Sequence, residues 1–298
     1  MNRSFKTGIS VVIPTYNRSD LIKKTLQQLC QQTLAAQLFE VIVADDGSTD
    51  NSKDVILSFQ HLLPLTYVFQ PDRGFRVAQA RNLALKQAKF EFVLFIDSGV
   101  LIAADCLEQH FQAHQRQQAE VFIGFCYGFQ EYPPVSQQQK QALFDQPDVF
   151  ADLTQLQPYI DCRHPYFASR NFSCQGLREP WLLFWTCHAS CRTAHLLQIG
   201  GFDEHFTSWG GEDVELALRL QQAGARFEVL PTAHAIHYPH DKDTDATSKS
   251  SSQNIRYIHQ KHCTLATYLL LQEVHWQQIL QICTLPEVAP CNYLLCQP

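Results

Sequence analysis

Two pairs of adjacent acids are the residues of this chain best suited to chemistry. Asp45-Asp46-Gly47-Ser48 directly follows the apolar run Phe39–Ala44, and Glu212-Asp213 follows Ser208-Trp209-Gly210-Gly211. A carboxylate at such a position can accept from a ligand's N–H or O–H, hold a divalent cation or take up a proton. Asp97-Ser98-Gly99 closes another apolar run, Phe92–Ile96, and Pro14-Thr15-Tyr16-Asn17-Arg18 follows Ile9–Ile13. Arg73, Arg76 and Arg81 lie within nine residues of one another and could neutralise phosphate oxygens, bidentately where geometry allows. Each acid also has a plain structural use. Asp-Gly is a common turn, and acids favour the first turn of a helix through its dipole.

The elements around these residues predict where they stand. Ile9–Ile13 is a continuous β-branched run, as in a buried parallel strand. Ser19 or Asp20 can cap a helix with apolar residues at Leu21, Ile22, Leu26 and Leu29. Strands are expected at 39–44, 65–69 and 92–96, and helices from Thr49 or Asp50 to Leu57 and from Val77 to Ala88. This alternation predicts an α/β fold with a mostly parallel central sheet flanked by helices, and a ligand crevice at the strand C-termini. All four motifs fall on that side. Residues 126–180 lose the rhythm and read as loops and short helices, an acceptor-side lid. A helix at Glu212–Ala223 and a strand at Phe227–Leu230 follow; 241–252 is polar and expected to be mobile. Residues 255–282 form a helical tail.

Composition sets the outer limits. The chain has 298 residues, 45% hydrophobic and 17% charged, with a net charge of −6. Charged residues average about 25% of soluble domains, so the polar surface comes largely from Gln, Ser, Thr and His. There is no basic field for a nucleic-acid backbone. No apolar stretch reaches the roughly 18 residues of a membrane span, and the first strand is too short for a signal-peptide core, so a cytoplasmic protein is expected. The 11 cysteines are odd in number and are expected as reduced thiols. Cys187/Cys191 and His110/His114 are each four apart, and neither pair has a second pair at zinc-finger spacing. No Gly-rich phosphate loop follows the first strand, which argues against a nucleotidyltransferase and a dinucleotide dehydrogenase.

Taken in order, the four motifs resemble those of the family 2 glycosyltransferases, with their GT-A nucleotide-sugar fold. The resemblance covers about residues 8–240. Gly200-Gly201-Phe202-Asp203-Glu204 with Trp209-Gly210-Gly211-Glu212-Asp213 is also similar to the C-terminal segment of β-1,4-galactosyltransferases and bacterial chondroitin-type polymerases. Gly74-Phe75-Arg76 with Ala80-Arg81-Asn82 is similar to a segment of the same subgroup. The resemblance implies an inverting glycosyltransferase, a hexosyltransferase moving sugar from a nucleotide-sugar donor, UDP-linked, to a hydroxyl acceptor. It divides the chain into a transferase domain, 1–245, and the tail, 246–298. The nucleotide-binding half is 1–125 and the acceptor half 126–245.

Residue by residue, the resemblance places Pro14, Tyr16, Arg18, Asp46, Arg73, Arg76, Arg81, Asp97 and Ser98 around the nucleotide sugar, with Asp46 on the base. It gives Asp97 a divalent metal, Mn²⁺ or Mg²⁺, with His237 as a further ligand and His234 second. Asp213 would be the general base, Glu212 its acceptor-binding neighbour, and Trp209, Gly210 and Gly211 the acceptor platform. One departure stands out: Gly99 replaces the second acid of the family's Asp-x-Asp motif. That raises a second reading, a nucleotide-sugar binder without catalysis. The same variant resembles glucosyltransferases of a small aminocyclitol, so the acceptor could be a small molecule rather than a growing polysaccharide.

Overall fold

The computed structural model describes residues 4–116, 118–130, 134–240 and 244–288, with side chains in the last stretch from Ser250 onward. Eight strands form one sheet: β1 (Lys6–Thr15), β2 (Phe39–Asp45), β3 (Leu65–Phe69), β4 (Phe90–Ile96), β5 (Val100–Ile102), β6 (Val121–Tyr127), β7 (His188–Arg192) and β8 (Phe227–His237). Their order is β3-β2-β1-β4-β7-β6-β8-β5. β1 pairs in parallel with β2 and β4, and β2 with β3. Beyond β4 the expectation of a mostly parallel sheet holds only in part. β6–β8 is parallel, but β4–β7, β6–β7 and β5–β8 are antiparallel.

Strand periodicity divides the apolar residues between two faces. Ile9, Val11, Ile13, Val41, Val43, Phe92 and Leu94 pack on one side, against α1 (Ser19–Leu29), α2 (Ser52–Ser58) and α4 (Cys106–Arg116). Val12, Ile42, Ala44, Val93 and Phe95 point to the other, towards α3 (Val77–Gln87), α7 (Thr193–Gln198) and α8 (Glu212–Gln222). Both faces of β1 and β2 are therefore covered, which is why their sequences are unbroken apolar runs rather than alternating ones.

The irregular middle contains short elements, including α5 (Gln137–Phe144) and α6 (His164–Ala168). Its anchor is buried: the Arg163 guanidinium binds both oxygens of Asp161 and the carbonyls of Leu183 and Gly124. The tail consists of three helices, α9 (Thr244–His262), α10 (Leu265–Leu271) and α11 (Trp276–Cys283). Cys263 and Glu273, at φ +49° and +58°, break what the sequence suggested was one run. The polar stretch expected to be mobile is helical from Thr244; 241–243 lie outside the described residues. Among the described residues eight cysteines are free thiols, as expected, whereas Cys263 is disulfide-bonded. Among the described residues no helix is long and apolar enough to cross a membrane.

Candidate active site

The loops after β1 and β2 are stitched together by short side chains. Asn17, at φ +49°, accepts from the amides of Thr49 (2.7 Å) and Asp50 (3.2 Å) and donates its own amide to Ser48 Oγ (2.8 Å). Asp50 accepts from the Ser19 amide at the start of α1 (3.0 Å). The two adjacent acids do different work. Asp45 is structural: Oδ1 accepts from the Gly47 and Ser48 amides and Oδ2 from the Tyr67 hydroxyl. Asp46 is held by Gln70 Nε2 (2.6 Å) and the Arg76 amide (2.8 Å). Burial pushes its carboxyl above the ordinary value, and those two hydrogen bonds oppose the shift.

Around Asp46, Pro14 is buried and Tyr16 is 44% exposed, with its hydroxyl donating to Asp72 at 2.9 Å. Arg73 is exposed and Arg76 half-buried. Burial lowers the pKa of Arg18, opposed by the nearby charge of Asp97. Arg18 also lines, with Asn17, Asp50 and His240, an open cleft of about 380 Å³. Gly47 is required here: it sits at φ +94°, and a Cβ would lie 2.3 Å from the Asp72 amide nitrogen.

Asp97 and the acids of α8 meet through one cation. Arg81 is 3% exposed. It donates Nη2 to Asp97 (2.9 Å) and Nη1 to Glu212 (3.0 Å), while its Nε has no partner among the described residues. Arg81 is thus a buried strut between the end of β4 and the start of α8, unlike the exposed Arg73 and the half-buried Arg76. Ser98, 5% exposed, donates to the Pro14 carbonyl (2.7 Å) and ties the ends of β1 and β4.

At the start of α8, Gly210 and Gly211 both have φ of +96°. Trp209 beside them is 44% exposed. The tail holds this turn. Asn254 Nδ2 faces the carbonyls of Ser208 (3.2 Å), Trp209 (3.3 Å) and Gly210 (2.7 Å), and Ser250 Oγ also donates to Trp209. Glu215, one turn further along α8, is fully buried against Arg219, Lys261 and His262. Asp213 lies half-buried beyond the turn. Burial, then the adjacent Glu212 charge, raises its pKa to about 7, against the pull of Arg81 and the amides of Val214 and Thr186. A carboxylate raised in this way binds a proton more readily than an ordinary aspartate, a property suited to a general base.

The candidate metal ligands come from the turn after β4 and from the end of β8. His237 is not beyond the last strand, as the sequence suggested, but is its final residue, paired with Val100. Its ring lies 4.9 Å from Phe129 and 5.2 Å from His240. His234 is also within β8, stacked on Tyr127. Gly99 has φ +96°, and a Cβ there would face Leu21 at 3.4 Å, so no acid at that turn supplements Asp97. Asp97 keeps a third of its side chain exposed beyond its bond to Arg81. A half-open carboxylate and an imidazole are ligand types that a divalent cation accepts alongside phosphate oxygens.

Sequence reasoning missed four contributors. Gln70 follows β3 directly, and its place at a strand end was the available signal. Thr186, whose amide steadies Asp213, and Trp185, stacked on Arg163 at 4.0 Å, carry no spacing signal. Asn254 sits in a polar stretch that reads as surface.

The chain matches Glycosyl transferase family 2 over residues 10–179, more than half its length, and N-terminal domain of galactosyltransferase over 163–241. It is 38% identical over 270 residues to a validoxylamine A glucosyltransferase of Streptomyces hygroscopicus subsp. jinggangensis, covering 90% of this chain and 63% of that protein. It is 29% identical over 260 residues to the Escherichia coli chondroitin synthase, covering 83% and 37%. The chain thus spans about three fifths or less of the length of these relatives. S. aureus TarS 1–349 in complex with UDP-GlcNAc superposes with a TM-score of 0.64 at 22% identity, covering 90% of this chain and 71% of that one. The mannosyltransferase PcManGT of Pyrobaculum calidifontis, in complex with GDP-Man and Mn²⁺, gives 0.57 at 20% identity, covering 87% and 65%. These likenesses bear out the GT-A architecture, and with the family match over strands β1–β6 this chain is a member of glycosyl transferase family 2.

Proposed function

We propose that the chain is an inverting glycosyltransferase acting on a UDP-linked sugar and a small hydroxyl-bearing acceptor. The observation that carries this reading is Arg81, buried between Asp97 at the end of β4 (2.9 Å) and Glu212 beside Asp213 (3.0 Å), which ties the strand-end acids to the start of α8. The validoxylamine A glucosyltransferase among its relatives supports the small acceptor.

In this reading Asp46 orients the base, with Pro14 and Tyr16 lining the pocket. Arg18, Arg73 and Arg76 meet the diphosphate, and Arg81 holds Asp97 and Glu212 in place. Ser98 fixes the floor. Trp209 offers a face for a sugar or cyclitol ring, Gly210 and Gly211 let it approach the backbone, and Glu212 orients it. The acceptor oxygen attacks the anomeric carbon as its proton passes to Asp213. The bond from that carbon to the diphosphate breaks, and both electrons leave with the diphosphate. A divalent ion held by Asp97 and His237 supplies charge neutralisation of the leaving group when bound. Residues 1–125 form the donor half, 126–245 the acceptor half, and 246–298 the brace.

Release of UDP or GDP from a panel of donors, with and without Mn²⁺, tests this reading. Turnover with a UDP-sugar and a polyhydroxylated cyclitol is expected. Gly99 favours the second reading, a binder without catalysis. UDP binding by calorimetry, with neither transfer nor donor hydrolysis across a full acceptor panel, would establish it.

A further inference from the structure

On the sheet face opposite α8, three metal-binding side chains meet in the core. Cys106 and His110 stand four apart on α4 and so share one face of the helix. His188 rises to meet them from β7. All three are fully buried. Cys106 Sγ lies 3.5 Å from His188 Nε2, and the two Nε2 atoms of His110 and His188 are 2.9 Å apart. All three ligand atoms lie within 4.8 Å of one another, the single such group among the described residues. A tetrahedral zinc ion with bonds of about 2.3 Å to sulfur and about 2.05 Å to nitrogen requires separations of about 3.6 Å for S···N and about 3.3 Å for N···N. The Cys106–His188 separation meets the first, and the His110–His188 separation needs a widening of a few tenths of an ångström.

The surroundings orient the ligand atoms. His188 Nδ1 lies 2.9 Å from the Phe125 carbonyl, which can only accept, so the proton sits on Nδ1 and the neutral ring turns the Nε2 lone pair on the cluster. His110 Nδ1 lies 2.8 Å from Ser190 Oγ. Outer partners of this kind fix the tautomer of metal-bound histidines. Gly124 leaves the room: a Cβ there would lie 2.4 Å from His188 Nδ1. Burial keeps His110 and His188 neutral, the form that ligates.

We propose that Cys106, His110 and His188 form a structural site for Zn²⁺ or a similar borderline cation, separate from the nucleotide crevice. Binding releases one proton, from the Cys106 thiol, and the sulfur ligates as thiolate. His110 stays neutral, its proton moving from Nε2 to Nδ1, where Ser190 Oγ accepts it. The ion joins α4 to β7 inside the core and takes no part in sugar transfer.

The test refolds the full chain with Zn²⁺ or Co²⁺, removes loose metal by dialysis and counts what remains. One equivalent is expected. The Co²⁺ form should show tetrahedral visible bands and a thiolate charge-transfer band in the near ultraviolet. Cys106→Ser should lose that band and weaken binding 10-fold or more, whereas Cys126→Ser and Asp97→Asn should leave both unchanged. The melting temperature should rise by about 4 °C at free Zn²⁺ about 100-fold above the dissociation constant. Less than a tenth of an equivalent, with no thermal shift, would overturn the site. The cluster would then be a neutral hydrogen-bond chain from His114 through Ser190 and His110 to His188. Full metal retention by Cys106→Ser would also overturn it. The wild-type Co²⁺ spectrum decides the matter should that variant fail to fold.

Discussion

The two sides of the crevice that we propose for donor and acceptor are held together in contrasting ways. On the donor side, parallel strands end in adjacent loops, and those loops bind one another through residues 31–34 positions apart: Asn17 to Ser48 and Thr49, Ser19 to Asp50, Arg18 to Ser52. On the acceptor side, the turn before α8 is fixed from far away. Arg81 reaches Glu212 across 131 positions, and Asn254 closes on 208–210 from the tail. One side is assembled from neighbours in sequence, the other from residues the fold brings together. The difference teaches that the donor side can be altered loop by loop, whereas the acceptor side depends on remote supports.

Substitutions test that contrast, and the largest effect is expected at the base. Asp213→Asn should lower transfer by about 10²–10⁴-fold while the dissociation constant for UDP, by calorimetry, stays within twofold. Equal losses in both would mean the two sides are not separable. Arg81→Met removes the cation shared by both sides, leaving Asp97 and Glu212 facing one another. A loss of about 3–5 kcal/mol in denaturant unfolding is expected, with transfer and UDP binding both impaired. Asp46→Ala should act on the donor side alone, weakening UDP binding by about 10–100-fold, as removal of a partly buried hydrogen-bonding carboxylate does. Asn254→Ala should act on the acceptor side alone. About 1–2 kcal/mol of stability should be lost, and the acceptor KM should rise several-fold with the donor KM unchanged.

The smallest and sharpest test is pH. Asp213 must be ionised to accept a proton, so kcat should rise with pH through about 7 and fall about tenfold per unit below it. Glu212→Gln removes the like charge beside Asp213, so that limb should move to lower pH. An unmoved limb would detach the titration from this pair.

Much of the donor side was legible because its motifs sit at the ends of apolar runs. Asp46, Asp97 and the loop after β1 all stand where strand-end reasoning put them. The acceptor side was less legible for physical reasons. β7 reads His-Ala-Ser-Cys-Arg, and its buried His188 and Ser190 break the apolar pattern that marks a central strand. β8 continues to His237 through residues that look like a loop of histidines. Arg81 reads as one of three arginines for a diphosphate, and only its burial between Asp97 and Glu212 reveals it as a strut. Asn254 carries no local signal at all, since its partners are the three carbonyls of a turn 44–46 positions earlier.

The hold of Asn254 on the turn at 208–210 also sets an order in time. Synthesis runs from the N-terminus, so Pro14, Tyr16, Asp46, Arg76 and Asp97 have all left the ribosome long before Asn254 has been added. A nascent chain can form the loops of the proposed nucleotide pocket while the turn leading to Asp213 still lacks its clamp. A chain stopped at residue 245 would carry all four motifs and be without that clamp.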